Sequence, residues 1–387
     1  MVLFLHNRYR TTGGEERVVD DLVWLVRERL GERAELLARA SGTLGRGRAG
    51  AGLLRGGLDP EVVGAAVRRD GARVVHAHNL QPTLGWRALA AARAAGARVV
   101  LHLHQYRLVC AIGVCFRDGA ECTRCHGRNT LPGVRLNCRG SRAEAAAYGL
   151  SLALWQRRVL AQADAVIVPS AFVRERLRLL GAPLPWERVR VLAPPLRPPR
   201  QAGADTRQSP GQQYALVVSR LAPEKGLDVA IDACRLAGIA LVIAGEGPEL
   251  GALRSRAGKQ PVRFVGRVQA ERLAELRAGA AIALAPSRSA ETFGLAAAEA
   301  MAAGVPVVAS RIGALPELVE EEGLVPANDA SAMAGAIARL AGDRAAGERA
   351  RVRVSELCAP AVVAGALGRV YEEATEGAIA PRGAGSA

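Results

Sequence analysis

Residues 281–310 read AIALAPSRSAETFGLAAAEAMAAGVPVVAS. Two short apolar runs, AIALA and VPVVAS, flank an alanine-rich segment of helical length. Unalternated apolar runs of this size read as strands buried on both faces, and the segment between them as the crossover joining parallel neighbours. Open parallel sheets bind ligands at the C-terminal ends of their strands, so the loop after AIALAPS is where chemistry is expected. Glu291 lies in that loop, Thr292, Phe293, Gly294 and Leu295 open the helix, and Glu299 lies inside it. A helix opening presents unpaired N–H groups and a positive dipole end to an anion. Gly294 allows close approach to the backbone there. Glu299 is flanked by AAA and AMAAG, and a carboxylate in so apolar a helix needs a partner, such as a pair of ribose-like hydroxyls. Glu291, nearer the strand end, suits the hydroxyls of a second sugar.

The same alternation runs through the chain. The first half offers strands near 2–5, 34–39, 73–78, 98–103, 165–169 and 189–193, with helical patterns between them, such as GGEERVVDDLVWLVRERL at 13–30. A segment rich in Pro, Gly and Gln follows, and then a second series, YALVVS, ALVIAG, VRFVG, AIALAPS and VPVVAS. The fold class is therefore α/β, with two doubly wound Rossmann-like domains. The expected divisions are a first domain over 1–195 with a cysteine-rich insert at 105–140, a linker at 196–213, and a second domain over 214–358. A C-terminal helix over 359–376 is expected to pack back on the first domain, and 377–387 to form a disordered tail. Residues 40–58, SGTLGRGRAGAGLLRGG in their core, read as a Gly/Arg-rich mobile loop. Two such domains on one linker leave a cleft between them as the expected ligand site.

The chain has 387 residues and a formal net charge of +15. Such a charge favours anionic partners. Only Lys225 and Lys259 are lysines, however, and the arginines are spread evenly with few aromatics to stack bases. Nucleic acid is not expected as a partner. Peripheral association with an acidic membrane surface fits the charge better, with helix RAEAAAYGLSLALWQRRVLAQ (142–162) as the element to lie on it or, as an ordinary amphipathic helix, to pack on the sheet. MVLFLHNRYR has no signal-peptide pattern and reads as a buried strand, so a cytoplasmic location is expected, at most at the inner face of the membrane.

Four further groups of residues can carry chemistry. In LVVSRLAPEKGLDVAIDA, Arg220 follows a strand and Lys225 sits at the next helix start, placed to clamp a diphosphate and stabilise it as a leaving group. Lysine at 225, in a chain that otherwise uses arginine, points to a need for a compact ammonium. Gly13 and Gly14, before the first helix, form a backbone nest for an anion, without the G-x-G-x-x-G of a dinucleotide site. His102 and His104 in LHLHQY alternate onto one strand face, as do His76 and His78 in VVHAHN; a structural role, a cleft-facing role and a His/His metal pair all remain open from the residues. Finally, Cys110, Cys122, Cys125 and Cys138 form a plausible four-thiolate set for structural zinc around a C-x-x-C, with Cys115 and His126 as alternative ligands; redox thiols and disulfides are the other readings.

These motifs also carry a resemblance. PSRSAETFGLAAAEAMAAGVPVVASRIGALPELV with its E-x(7)-E pair, S-R-L-x-x-E-K-G at 219–226, G-E-G-P-E at 245–249 and the N-terminal G-G-E at 13–15 are similar to the signatures of retaining glycosyltransferases of family 4. The resemblance extends over essentially the whole chain, with one departure: P-S-x-x-x-E stands where the family has P-S-x-x-E, so one extra residue precedes Glu291. It implies the GT-B fold, with both domains facing the cleft, and a nucleoside-diphosphate sugar as donor, UDP-sugar favoured. It further implies that Arg220 and Lys225 hold the diphosphate, Glu299 the ribose and Glu291 the transferred sugar. The amides of Phe293, Gly294 and Leu295 would lie nearby, Gly14 near the phosphates, and Gly247 with Val265, Gly266, Arg267 and Val268 around the base. His104 would face the sugar and acceptor. A hexose would pass to an acceptor hydroxyl with retention, in polysaccharide, glycolipid or natural-product glycoside synthesis, and no catalytic metal would be needed. Two readings compete: a zinc-stabilised basic polyanion-binding protein, and a non-hydrolysing sugar-nucleotide epimerase.

Overall fold

The structure, a computed structural model, describes residues 1–9, 13–42, 44–198 and 213–376. Most of the expected linker and the whole of the expected tail at 377–387 lie outside the described residues. The chain divides into two compact units. One comprises Met1–Val114, Thr123–Pro195 and the C-terminal helix Pro360–Glu376; the other comprises Cys115–Cys122 and Leu196–Ala359.

The first unit is built on a fully parallel six-stranded sheet. Its strands are β1 (Val2–Arg8), β2 (Ala34–Ala40), β3 (Val74–Ala77), β4 (Arg98–His102), β5 (Ala165–Val168) and β6 (Val189–Val191), in the order β2-β1-β3-β4-β5-β6. The central strands are covered on both faces, which is why they read as unbroken apolar runs: Val99, Val100, Val166, Ile167 and Val168 are wholly buried. Helix α1 (Gly14–Glu28) crosses from β1 to β2 and buries Val18, Val19, Leu22, Leu25 and Val26 on one face. The helix over Pro360–Glu376 buries Val363, Leu367, Val370 and Tyr371 and packs on β4. With Arg344–Cys358 before it, this is the stretch among the described residues apolar enough on average to cross a membrane, yet Pro360 divides it into two helices and the second uses its apolar stripe in this core.

The expectation of a mobile loop at 40–58 is corrected. Arg46–Arg55 forms a helix, α2, and its glycines are contact points rather than hinges. Gly56 ends it with φ 71°, and a Cβ there would lie 2.3 Å from Trp86 Nε1. Trp155 Nε1 donates to the carbonyls of Leu53 and Leu54 at 3.1 and 3.2 Å. Composition suggested a loop because glycine lowers helix propensity, but tertiary packing overrides that weak prior. Helix α3 (Arg142–Gln162) buries Ala145, Tyr148, Leu152, Gln156 and Leu160 against this unit, as a packed amphipathic helix would.

The second unit repeats the plan. Strands β7 (Tyr214–Val218), β8 (Ala240–Ala244), β9 (Val262–Gly266), β10 (Ala280–Ala285), β11 (Val307–Ser310) and β12 (Leu324–Val325) form a parallel sheet in the order β9-β8-β7-β10-β11-β12. The order reverses beside β7, so the loops after β7 and β10 flank the switch point where such sheets bind ligands.

Candidate active site

The loops after β7 and β10 bring together three of the residues singled out in the sequence, Arg220, Lys225 and Glu291, with Ser287 beside them. Lys225 Nζ donates to Glu291 Oε1 at 2.6 Å, and the Ser287 hydroxyl donates to the same oxygen. Arg220 pairs with the largely buried Glu224. The contact between the loops depends on Gly226: it sits at φ 63°, and a Cβ there would lie 2.1 Å from the Pro286 carbonyl oxygen. The Glu224 carbonyl then accepts from the N–H groups of Arg288 and Ser289 at 2.8 and 3.2 Å, which is how the extra residue before Glu291 is held. The Glu291 carbonyl accepts from Ala314 N–H at 2.9 Å. Burial pushes the Glu291 carboxyl up, but the Lys225 ammonium, its hydrogen bond, the Ser287 hydroxyl and the Arg220 charge bring it below the ordinary carboxylate range. The site thus offers two cationic groups, each paired with a carboxylate, at a strand-end edge, suited to a ligand that carries both hydroxyls and phosphate.

Gly294 caps the helix Leu295–Ala302 in the left-handed conformation, with Phe293 buried behind it. Glu299, one turn into this helix, pairs with Arg277 from the helix Ala270–Ala278; each side chain is 9% exposed. Arg277 was missed in the sequence. Among fifty arginines it looks like any other, and its signal is only the apolar company of Leu273 and Leu276 on one helix face. Gly247 and the end of β9 meet the same edge: Leu221 N–H donates to the Glu246 carbonyl at 2.9 Å, and Gly245 N–H to the Gly266 carbonyl at 2.8 Å. Val265 and Gly266 are partly buried and Arg267 is exposed.

In the first unit Gly13 and Gly14 do open α1, but the Gly13 N–H is taken by Glu16 Oε2 at 2.8 Å. Glu16 Oε1 also accepts from Tyr9 N–H at 3.0 Å. The expected anion nest is therefore corrected at Gly13: its donor is satisfied by the helix's own acidic side chain. His104, half-buried just beyond β4, places Nε2 2.8 Å from His78 Nδ1. Burial pushes the His104 imidazole below its ordinary range, opposed by Glu15 and Glu16 and helped by His6. His76 is pushed down to about 3 by burial, and His78 and His102 also lie well below their usual value. These rings are neutral at pH 7.

Of the four cysteines expected as a zinc set, Cys110, Cys125 and Cys138 belong to the first unit and Cys122 to the second. Cys125 is close enough to Cys110 and Cys138 to feel their charges, and burial raises its pKa, opposed by hydrogen bonds from the backbone of Ala111 and Gly133. Cys122 is held by the hairpin Phe116–Glu121, its N–H on the Cys115 carbonyl at 2.7 Å. Among the described residues, the group of three or more ligand atoms lying within 4.8 Å of one another is His76, His78 and His102. His126 packs its ring against Gly181 instead.

Comparison with known proteins places these features in a family. Residues 2–195 match the glycosyl transferase 4-like domain, and residues 212–343 match the glycosyl transferases group 1 domain. A GDP-mannose-dependent alpha-(1-6)-phosphatidylinositol dimannoside mannosyltransferase of Mycobacterium tuberculosis is 36% identical over 196 residues, covering 46% of this chain and 50% of that protein. A glycogen synthase of the same species is 35% identical over 237 residues, covering 57% of each. The chain thus spans about half the length of the curated relatives it matches. In structure it is similar to the sucrose-phosphate synthase of Thermosynechococcus elongatus, with TM-score 0.68 and 20% identity over 97% of this chain and 100% of that one. It is also similar to Anabaena HepE in complex with UDP and glucose, with TM-score 0.62 and 19% identity over 96% and 99%. Both of its domain matches, and the two parallel-sheet units that carry them, establish that the chain belongs to the GT-B glycosyltransferases.

Proposed function

We propose that this chain is a retaining glycosyltransferase that moves a hexose from a nucleoside-diphosphate sugar to an acceptor hydroxyl. The observation that carries the reading is the Lys225–Glu291 contact, with Arg220 and Ser287 beside it, at the switch point of the second sheet. Lys225 and Arg220 are the groups to hold the donor diphosphate and stabilise its growing charge as it leaves. Glu291 accepts hydroxyls of the transferred sugar, and Glu299 the ribose hydroxyls. Residues Gly247 and Val265–Arg267 border the base, and the amides of Phe293, Gly294 and Leu295 the sugar. In the step itself the bond from anomeric carbon to diphosphate oxygen breaks and the bond to the acceptor oxygen forms on the same face. The acceptor proton passes to the departing diphosphate. Positioning and charge stabilisation supply the rate, with no protein nucleophile.

UDP is the nucleotide we favour, supported by the UDP in Anabaena HepE, while the mycobacterial relative is named for GDP-mannose. The test is release of nucleoside diphosphate from a panel of UDP- and GDP-sugars, with and without lipid and polysaccharide acceptors. One donor should turn over, and Lys225→Ala and Glu291→Gln should each lower that rate roughly 100-fold. Absence of binding across the panel, or full activity in both variants, would overturn the reading.

A further inference from the structure

Five of the chain's six histidines lie together at the C-terminal ends of β1, β3 and β4. Their rings stack rather than converge. His76 lies on His78 with centroids 4.6 Å apart at 19°, His78 on His104 at 5.1 Å and 21°, and His102 on His104 at 4.2 Å and 16°. A nitrogen lone pair lies in its ring plane, so stacked parallel rings hold their lone pairs in separate parallel planes that do not meet at one point. His76, His78 and His102 therefore do not make a tetrahedral metal set, although their nitrogens are close. What they make is two hydrogen-bonded pairs. His76 Nδ1 lies 2.7 Å from the Tyr371 hydroxyl and its Nε2 lies 3.2 Å from His102 Nδ1; separately, His78 Nδ1 lies 2.8 Å from His104 Nε2.

The second pair has two possible proton arrangements, and the surroundings distinguish them. His78 is 3% exposed, and its Nε2 has no hydrogen-bond partner. If His104 donated, His78 would carry its one hydrogen on Nε2, leaving an orphaned N–H in the core. If His78 donates from Nδ1, its Nε2 is a bare lone pair. Orphaned buried donors are rarer and costlier than under-used acceptors. His104 then accepts at Nε2 and, as a neutral ring, carries its hydrogen on Nδ1.

We propose that His78 is a positioning residue that locks His104 in the Nδ1–H tautomer, so that His104 offers the substrate a hydrogen-bond donor and not a base. The contact with substrate rests on the glycosyltransferase reading above; the tautomer does not. A donor is what a sugar or acceptor oxygen needs where the leaving diphosphate takes the acceptor proton, because no protein base is then required at this position.

The test is a long-range proton–nitrogen spectrum of the full chain with labelled histidines at pH 7, the His104 signals being identified by their loss in His104→Gln. The wild-type spectrum should show His104 Nδ1 protonated and Nε2 bare. His78→Phe keeps the stack but removes the donor, and should shift His104 toward the Nε2–H form and lower kcat roughly tenfold. His78→Asn, whose side-chain amide can replace the Nδ1–H, should restore the wild-type tautomer and keep kcat within about threefold. An Nε2–H tautomer in the wild type, or a His104 spectrum unchanged in His78→Phe, would overturn the proposal. These spectra need no substrate, so they decide it even if the donor panel gives no turnover.

Discussion

Glu16 shows how much one side chain can hold. Its two oxygens accept from Gly13 and Tyr9 N–H groups at the opening of α1, with the His6 ring beside them. Burial pushes this carboxyl up, but the His6 ring and then the Gly13 and Tyr9 N–H groups outweigh it and lower it from 4.5 to about 2. A carboxyl depressed on folding adds stability that is fully present above its unfolded value and is lost as pH falls through the folded one. The window is therefore pH 4.5 down to about 2. Glu16→Gln should cost about 2–3 kcal/mol at pH 7, by denaturant unfolding, with the difference from wild type closing across that window. Not every residue of the site could be read in the same way from the sequence. Glu299 announced itself because a lone carboxylate stood in an alanine helix. Its partner Arg277 did not, because charge identity says nothing about which arginine is turned inward. Gly13 was misread because the N–H it lends to a nest was already committed three residues along the chain.

At the scale of elements, the strands were legible because parallel sheets covered on both faces need continuous apolar runs, and β3, β4 and β5 obey that rule. Helix α2 was not, since its stability comes from Trp86, Trp155 and Pro82, which lie far from it in sequence. Gly56→Ala should lower stability by about 2 kcal/mol, read as a drop in denaturation midpoint, because the new methyl group meets Trp86 at a positive φ. The histidine array makes a different prediction. His76, packed between Phe4, His78 and His102 and bonded to Tyr371, stays neutral down to about pH 3, while the unfolded chain protonates near 6.5. The unfolded state binds more protons in that interval, so stability falls as pH drops from 6.5 toward 3, by roughly 1.4 kcal/mol per pH unit for each such histidine. His76→Phe should flatten this slope in chemical unfolding curves taken between pH 7 and 5.

For the whole molecule, the two-unit α/β plan followed from the alternation of strands and helices, and the domain matches agree with it. In the cysteine insert, C-x-x-C spacing states which thiols can meet and not which backbone hairpin they sit on. Arg220, Lys225, Ser287 and Glu291 lie together near one strand edge, and many surface arginines pair with neighbouring carboxylates. The histidines were seen as two strand pairs; that they form one stacked array depended on the β1-β3-β4 adjacency, a topological fact.

The C-terminal helix carries a consequence in time. The first unit takes its last element from Pro360–Glu376, after the chain has completed the second unit. During synthesis, therefore, the first 195 residues emerge long before the tyrosine that bonds to His76 exists. The half that starts first finishes last. Until that helix emerges the β4 flank of its core is uncovered, whereas Leu196–Ala359 can close as soon as it is out. A chain stopped after Ala359 should give a protease-resistant second unit and a first unit cut within its sheet, and equal resistance of both would show that the helix is dispensable.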